Sequence, residues 1–307
     1  MRLFPTSLHT AVRPRRACEI APDGILAGSS AAMDAPLTTA VFTPLRNSIT
    51  AGLTSPVFSS PEAVLSALKS ALDTVDPKGR DWTVVLPDAC TRVLLLDFDT
   101  LPARPQEVLP LVRFRLRRLV PFDVDTAAVS YQLLRPATAG TTTGPVQVIA
   151  AAMPAEVRAE IESLVRSTER EPGILLPATL AALAALPETG SHLLVHTGAF
   201  SMTTAITRDG ELVLYRRAEH TEIEPGEMAQ AVLVAAAYFE DTLHTPLQEV
   251  WVAGLETPEV LRRHLEVDGA WEIPLRSLVT SDSFAAGGMP AQMTASRFTS
   301  IVGALRG

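Results

Sequence analysis

The chain has 307 residues, of which 47% are hydrophobic and 20% are charged, and its formal net charge is −8. Because 307 residues exceed the usual size of one hydrophobic core, we expect two domains, and the apolar fraction excludes a disordered or fibrous chain. The 34 acidic side chains outnumber the 26 basic ones, so the chain as a whole has no electrostatic attraction to nucleic acid.

The start of the chain carries the pattern of a β-hairpin. Residues 17–20 and 25–30 are apolar runs, and they flank the turn sequence Pro22-Asp23-Gly24. An Asp-Gly pair supplies the tight bend between antiparallel strands, so we predict a hairpin here, with residues 41–42 as a third strand.

A helix and two further strands follow. We predict that the helix begins at Pro61, because Ser60 is a suitable N-cap and proline fits the first helical position. Its apolar residues recur at helical spacing and are Val64, Leu65, Leu68 and Leu72. The two strands are predicted at residues 82–86 and 92–98.

The segment at residues 105–120 carries two competing patterns. Apolar residues and arginines alternate from 112 to 117, as in a strand, whereas a larger apolar set is spaced as on one face of a helix. That face comprises Val108, Leu109, Val112, Leu116, Leu119 and Val120. The length of the segment and the prolines at 105 and 121 favour a helix.

The arginine-rich side of this helix has two interpretations. Four arginines lie between residues 113 and 118, and on a helical wheel Leu111 and Phe114 fall among them. They form either a solvated face, whose aliphatic stems cover apolar surface, or a docking face for an acidic or membrane-proximal partner. The residues predicted to contact such a partner are Leu111, Phe114, Arg115 and Arg118.

The remaining chain completes this middle segment and adds a second set of strands. After strands at 127–134 and 146–152, joined by a Thr/Gly-rich loop at 138–144, we predict helices at 154–169 and 178–186. The second set of strands is predicted at residues 192–196, 201–207, 211–216 and 249–253, with a turn at Asp209-Gly210 between the second and the third. The later helices are predicted at residues 227–243, 258–265 and 295–305.

A hairpin, a third strand and a helix therefore occur twice, at 17–73 and 192–243, around a β-α-β-β-α segment at 92–169. This order resembles the actin-like ATPase architecture in the variant shared by FtsA and PilM. The residues resemble the PilM family, the cytoplasmic component of the type IV pilus inner-membrane platform, and the related cytoplasmic domain of type II secretion GspL proteins. The segments that carry the resemblance are Val85-Leu86-Pro87-Asp88, LRRLVPF at 116–122, VSYQLL at 129–134, AAA at 150–152, VHTGAFSMTTAITRDG at 195–210, Val252-Ala253-Gly254 and GALRG at 303–307.

The resemblance implies an α/β protein with a two-lobed, actin-like fold and an FtsA/PilM-type βαββα insert. The implied units are lobe 1 at residues 17–91, the insert at 92–170, a return to lobe 1 at 171–190, lobe 2 at 191–285, and a C-terminal segment at 286–307 that packs back on lobe 1.

Members of the family bind ATP between the lobes, where two hairpin turns hold phosphates, aspartates organise Mg²⁺ and a glycine pair admits adenosine. The resemblance places Glu19-Ile20-Ala21, His196-Thr197-Gly198 and Ala253-Gly254 at these three motifs. Each departs from the pattern: Ala21 adds a Cβ, the neutral imidazole of His196 is a poor Mg²⁺ ligand, and one glycine of the pair is lost. We therefore expect no hydrolysis of Mg·ATP and no catalytic residue, whereas nucleotide binding without turnover stays open through backbone donors at Gly198 and Gly254.

Two of these residues also have a purely structural interpretation. Glu19 forms a salt bridge with a nearby arginine or keeps a vestigial metal role, and His196 is a polar residue at a strand end that bonds to a neighbour. No metal site is expected elsewhere, because Cys18 and Cys90 lie in apolar runs without zinc-like spacing. No membrane span is expected either, since the longest apolar runs, at 175–186 and 232–239, are too short.

The resemblance implies a non-enzymatic scaffold at the cytoplasmic face of the inner membrane. Its partner would be the cytoplasmic tail of a PilN-like bitopic membrane protein, held in a groove bounded by the helix at 105–120 and the strands at 82–98. The chain would approach the membrane only through partners, and self-association stays open. The alternatives are an active actin-like ATPase or sugar kinase, which intact aspartates at positions 19 and 196 would have favoured, and the cytoplasmic domain of a GspL-like secretion protein.

Overall fold

The computed structural model describes residues 13–134, 146–219, 225–266, 271–291 and 293–306. The loop predicted at 138–144 lies outside these residues. Within the described ranges, no helix has both the length and the apolar character needed to cross a bilayer.

Thirteen strands form three sheets in the described part of the chain. They are β1 (Arg16–Ala21), β2 (Gly24–Ser30), β3 (Leu37–Pro44), β4 (Asp81–Leu86), β5 (Arg92–Phe98), β6 (Ala128–Leu133), β7 (Val146–Met153), β8 (Glu171–Pro177), β9 (Ser191–Thr197), β10 (Ser201–Arg208), β11 (Glu211–Glu219), β12 (Val250–Gly254) and β13 (Leu275–Ser277). The strand order is β3-β2-β1-β4-β8 in the first sheet, β11-β10-β9-β12-β13 in the second and β5-β7-β6 in the third. The first two sheets share one plan, in which three antiparallel strands are followed by two strands parallel to the first.

The helices connect and cover these sheets. They are α1 (Pro61–Val75), α2 (Pro105–Leu116), α3 (Ala155–Arg166), α4 (Ala178–Leu183), α5 (Pro225–Leu243), α6 (Pro258–Leu265) and α7 (Thr299–Ala304). A 3₁₀ turn, Asp88–Cys90, follows β4, and another, Ala295–Phe298, precedes α7. Helix α1 begins at Pro61 as predicted, but the Ser60 side chain makes no capping hydrogen bond. The proline, which needs no backbone partner at the first helical position, accounts for this start.

Both hairpin turns predicted from Asp-Gly pairs are confirmed. Ala21 pairs with Gly24 at the ends of β1 and β2, and β10 turns into β11 through Asp209 and Gly210. At the second turn the φ angles of Asp209 and Gly210 are 49° and 75°. Two-residue hairpin turns need this left-handed backbone, which aspartate and glycine adopt at low cost.

Helix α2 is shorter than the predicted helix. It ends at Leu116, and Leu119, which the predicted stripe directs into the core, is 52% exposed. Because Pro121 disfavours helical backbone at the residue before it, the chain leaves the helix early and Leu119 turns outward. The prediction for Val112 and Leu116 is confirmed, since both are fully buried.

Helix α3 packs on the first sheet and not on the insert. Its buried residues Val157 and Ile161 join one hydrophobic cluster with Leu68 of α1 and Val84 of β4. The next strand, β8, pairs in parallel with β4 of the first sheet. The chain must therefore cross back over a face of that sheet before β8 begins, and α3 is the helix that makes this crossing. The boundary predicted for the insert, residues 92–170, therefore groups α3 with the wrong neighbours. We refer below to the first sheet with α1 and α3 as lobe 1, to the second sheet with α5 and α6 as lobe 2, and to the third sheet with α2 as the insert.

Helices α4 and α7 pack against each other between the two lobes. They belong to one cluster of buried residues that includes Leu26 of lobe 1 and Leu194 of lobe 2. At the crossing, a Cβ added to Gly303 of α7 would lie 1.9 Å from the carbonyl oxygen of Ala181 in α4. The two backbones are therefore in direct contact, and the lobes share a buried core at this end.

Candidate functional site: a cleft between the lobes

A small polar cleft lies between the lobes, where β1, β4, β9 and β12 end. Open α/β sheets bind ligands at the carboxyl ends of their strands, so this is the expected place for a site. Six of the seven residues predicted for a nucleotide cleft line it, and they are Glu19, Ala21, His196, Thr197, Gly198 and Gly254. The seventh, Ala253, is fully buried in the core between the lobes.

The cleft is almost closed. Its free volume is about 30 Å³, a small multiple of the roughly 10–15 Å³ that one water molecule needs on the same measure, whereas sites for small organic ligands enclose about 300–1,000 Å³. In this form the cleft has no room for a nucleoside triphosphate, and such a ligand would enter only if the lobes moved apart.

The carboxylate of Glu19 is buried and already paired. Ser300 donates a hydrogen bond to Glu19 Oε2, and Arg297 Nη1 lies 3.7 Å from Glu19 Oε1. The other terminal nitrogen of Arg297, Nη2, bonds to Asp23 Oδ1, so one guanidinium lies between two carboxylates. Mg²⁺ prefers carboxylate oxygens as ligands, but here the carboxylates of Glu19 and Asp23 both pair with the positive charge of Arg297. Of the two interpretations of Glu19, the structure supports the salt bridge.

His196 is buried and bonds to a neighbour, as its structural interpretation predicts. Its Nδ1 lies 2.9 Å from Thr179 Oγ1, and that hydroxyl donates to Asp88 Oδ2. Because a hydroxyl has one proton, His196 Nδ1 must itself carry a proton and donate it to Thr179. In a hydrolase triad the hydroxyl and the carboxylate bond to opposite ring nitrogens, whereas here Asp88 Oδ2 is also on the Nδ1 side, at 3.6 Å. The cluster is a hydrogen-bond chain and not a nucleophile with its base.

The charge of Asp88 also acts on Tyr215 of β11. Burial, together with this nearby carboxylate, raises the pKa of the Tyr215 phenol well above its ordinary value. The phenol therefore stays neutral at physiological pH.

The two glycines of the cleft motifs have structural roles at the ends of β9, β10 and β12. Gly198 N–H donates to Ser201 O at 2.8 Å, so it closes the β9–β10 turn and is not free for a phosphate. Gly254 has a φ of 92°, and a Cβ there would lie 2.0 Å from Thr197 O. The backbone N–H of Leu255 then donates to the same oxygen at 2.9 Å. Gly254 is thus required by the close approach of two strands, and the expectation of a free backbone donor at Gly198 was wrong.

The two cysteines are buried and keep their protons. Burial raises the pKa of both Cys18 and Cys90 to about 12, so neither thiol ionises readily at neutral pH. Among the residues whose positions are described, no three His, Cys, Asp or Glu side chains are grouped so as to hold a metal ion.

Three residues of the cleft were missed at the level of sequence: Asp88, Thr179 and Arg297. Asp88 is buried. The local sequence feature that indicates this is its position directly after Pro87 at the end of an apolar strand. Arg297 carried no such signal, because its partner Asp23 is 274 positions away.

The residues predicted for a docking face lie on α2, away from the cleft. Phe114 is 59% exposed and Arg118 is exposed, whereas Leu111 is half-buried against the core of the insert. The guanidinium of Arg115 lies 5.5 Å from the centroid of the Phe98 ring, so it covers β5. Of the predicted set, Phe114 and Arg118 therefore present the most accessible surface.

A second cavity, a groove of about 230 Å³, separates the insert from lobe 1. Val129 of β6 and Ala151 of β7 line one wall, and Gly173 and Leu175 of β8 line the other, with Arg158 of α3 beside them. Both β6 and β8 are edge strands of their sheets, so among the described residues each has one side without a partner strand. A groove between the insert and lobe 1 is present, but β6, β7, β8 and α3 form its walls, in place of α2 and of the strands predicted at 82–98.

Twin five-stranded sheets of one topology, joined across a cleft and carrying a small insert after β4, define an actin-like α/β fold. No family model and no curated protein matches the chain. Among solved structures, a chain of a PilM–PilN type IV pilus biogenesis complex matches 95% of this chain over 98% of its own length, with a TM-score of 0.73 and 15% identity.

The cytoplasmic domain of EpsL, an inner-membrane component of the type II secretion system of Vibrio cholerae, matches 85% of this chain over 87% of its own length. Its TM-score is 0.50 and its identity is 12%. A protein from Bacteroides thetaiotaomicron with an actin-like ATPase fold also matches, with a TM-score of 0.49 and 10% identity. The predicted fold is confirmed: the chain has the PilM-like form of the actin-like fold.

Proposed function

We propose that this chain is a PilM-like scaffold of a type IV pilus or type II secretion platform, located at the cytoplasmic face of the inner membrane. The observation that carries the proposal is the match of almost the whole chain to one member of a PilM–PilN complex. In this role the chain binds the cytoplasmic tail of a PilN-like single-span membrane protein and reaches the membrane through that partner.

The groove between the insert and lobe 1 is the proposed binding site of the tail. An extended peptide is captured when it adds to an exposed strand edge and places alternate side chains in pockets. Here two edge strands, β6 and β8, lie on opposite walls of the groove. Apolar side chains such as Val129 and Leu175 offer contact for apolar tail residues. At the rim, Arg158 and Glu162 pair at 3.7 Å and offer polar contacts of both signs.

Blocking this groove is expected to abolish capture of the tail. Gly173 suits the test, because a Cβ there meets only Pro14 and the Trp82 carbonyl, both at an ordinary 3.5 Å. We expect Gly173→Trp to fold normally and to weaken binding of a fluorescently labelled synthetic peptide, the N-terminal tail of the PilN-like protein from the same organism, by about tenfold or more. The measurement is fluorescence anisotropy.

Ser66→Trp is the matched control, because Ser66 is exposed on α1 in the same lobe but outside the groove. It is expected to bind the peptide like the unchanged chain. Equal weakening by both variants, or no binding of the tail by the unchanged chain, would contradict the proposal.

We also propose that the cleft does not turn over ATP. Three observations support this: the guanidinium of Arg297 is held between Glu19 and Asp23, the Gly198 N–H is already bonded, and the free volume is about 30 Å³. A metal-assisted transfer needs a hard cation on carboxylate or water ligands, and the arginine competes for those ligands.

A thermal-shift titration tests this part of the proposal. A ligand that binds only the folded chain stabilises it by about 2.7 kcal/mol at a hundred times its Kd. We expect the Tm to stay unchanged in millimolar Mg·ATP, and we expect no phosphate release above that of a blank. A rise in Tm accompanied by phosphate release would establish the active ATPase instead.

The likeness to the EpsL cytoplasmic domain favours a second arrangement, in which the same fold is the cytoplasmic part of a secretion protein. The peptide experiment separates the two arrangements. A pilus-type scaffold captures a separate PilN-like tail, whereas a GspL-like domain has no such requirement. The exposed Phe114 and Arg118 on α2 remain predicted contacts for a further partner.

A further inference from the structure

Asp88 is bonded first to α4, the helix that directly follows β8 of lobe 1. Its Oδ1 accepts the backbone N–H of Thr179 at 3.0 Å, and its Oδ2 accepts the Thr179 hydroxyl. Thr179 is in the first turn of α4, where backbone N–H groups have no partner within the helix. The residue before this helix, Pro177, supplies no side-chain cap. Asp88 therefore takes the place of a cap, which fixes its carboxylate at the edge of lobe 1.

Three strands of lobe 2 reach the same point. His196 of β9 donates to the Thr179 hydroxyl, and Thr203 of β10 donates to Asp88 Oδ2 at 3.4 Å. Arg217 of β11 donates from Nη1 to the backbone oxygen of Asp88 at 2.6 Å. One residue of lobe 1 is thus held, directly or through Thr179, by three neighbouring strands of the opposite lobe.

These groups are buried while the lobes are together. Asp88, Thr179, His196 and Thr203 are each at most 5% exposed. Moving the lobes apart breaks the hydrogen bonds that His196, Thr203 and Arg217 of lobe 2 make to Thr179 and Asp88. Each of these groups then needs a water molecule as its new partner. A buried polar group that loses its partner costs free energy. The free energy is therefore highest when the lobes have opened far enough to break the bonds but not far enough to admit water.

We propose that Asp88 is the centre of an interlobe latch that keeps the cleft closed without any bound ligand. Two-lobed proteins commonly close because a ligand bridges their lobes. In this chain the protein's own groups span the gap. Arg217 extends the latch, since it also bonds to Glu219, and Glu219 pairs with Arg92 of β5 at 2.7 Å.

The contact between α4 and α7 determines how the molecule opens when the latch is broken. Gly303 and Ala181 hold these helices in backbone contact, and both lobes contribute to the core around them. Ala181 is only two residues after Thr179 in α4, so this shared core lies beside the latch. It keeps the lobes joined when the latch bonds break, so the lobes move apart but do not dissociate.

The test is the distance between the lobes, measured by electron paramagnetic resonance between two spin labels. Labels are placed at Ser66→Cys on α1 and Arg263→Cys on α6, because both positions are exposed and lie outside the cleft. The native Cys18 and Cys90 are buried and do not compete for the label. We expect one narrow distance distribution in the unchanged chain, with no added ligand.

Two latch variants are compared with it: Asp88→Ala, and the double variant Thr179→Val with Thr203→Val, which keeps side-chain shape and removes only hydroxyls. We expect both to broaden the distribution and to shift it to longer distances, while the circular dichroism spectrum stays that of a folded chain. If Asp88→Ala does not fold, the distance distribution of the double variant decides the test.

Thr207→Val is the matched control. Thr207 is on β10 like Thr203 and is equally buried, but its hydroxyl has no hydrogen-bond partner in the part of the chain that the structure describes. It is expected to keep the narrow distribution. The proposal is overturned if the folded latch variants keep the original distances, or if Thr207→Val shifts them as much as the double variant does.

Discussion

Replacing Gly303 by alanine is expected to lower the free energy of unfolding by about 3 kcal/mol, the upper part of the range for overpacked cores. The added Cβ would lie 1.9 Å from the Ala181 carbonyl oxygen, which is backbone and cannot rotate away. Helices α4 and α7 must therefore separate, and this separation disturbs the buried core that both lobes share. Urea denaturation followed by circular dichroism measures the change.

Gly226→Ala in α5 is the matched control, since it makes the same substitution in a helix. Nothing lies within 4 Å of the added Cβ, so alanine is expected to leave stability unchanged or to raise it by up to about 1 kcal/mol. A similar loss in both variants would mean that helical glycines, and not the α4–α7 contact, account for the effect.

Arg297→Met is expected to cost about 3–5 kcal/mol, the usual penalty for leaving one member of a buried ion pair without its partner. Glu19 and Arg297 have side chains only 8% and 9% exposed. Methionine keeps much of the volume of the arginine stem but removes the charge, so the carboxylate of Glu19 keeps Ser300 as a donor and loses its cation.

The double variant Arg297→Met with Glu19→Gln separates charge from packing. If the loss of stability comes from the uncompensated carboxylate of Glu19, the neutral amide of Glu19→Gln should restore a large part of the free energy of unfolding. Urea denaturation measures this recovery. Arg276→Met serves as the surface control. Arg276 is exposed and its partner Glu249, 2.6 Å away, is half-buried. Ion pairs that are open to solvent contribute about 0–1 kcal/mol. A loss of equal size at both arginines would contradict the buried-pair explanation.

The elements that sequence predicted well are those whose signals are local. Helix α6 begins and ends at the predicted residues because Thr257 caps it, accepting the Val260 N–H, and Pro258 begins it. The turn at Asp209-Gly210 needs a backbone that those two residues favour. The buried face of α3 also follows its spacing, with Val157 and Ile161 inward.

The remaining errors come from interactions that local patterns do not encode. Spacing identified the inward face of α3 but could not say which sheet it would cover, because that depends on the pairing of β8 with β4. The cleft was predicted at the right strand ends. A salt bridge between Glu19 and an arginine was one of the two interpretations of that residue. The arginine itself was not identified, because Arg297 enters from a segment far along the chain and pairs with Glu19 and Asp23.

The position of α7 has a consequence for how the protein is made. Residues Ser300 and Glu19 are 281 positions apart yet bond to each other, and Ile301 and Val302 fill the core beside β1 and α4. During synthesis, the core of lobe 1 therefore stays incomplete after its own strands have left the ribosome. Leu26 and Val85 are covered fully only when α7 has been synthesised and has packed against them. Nascent chains stalled before about residue 300 should expose this surface to chaperones and proteases, although every strand of both large sheets has already been translated.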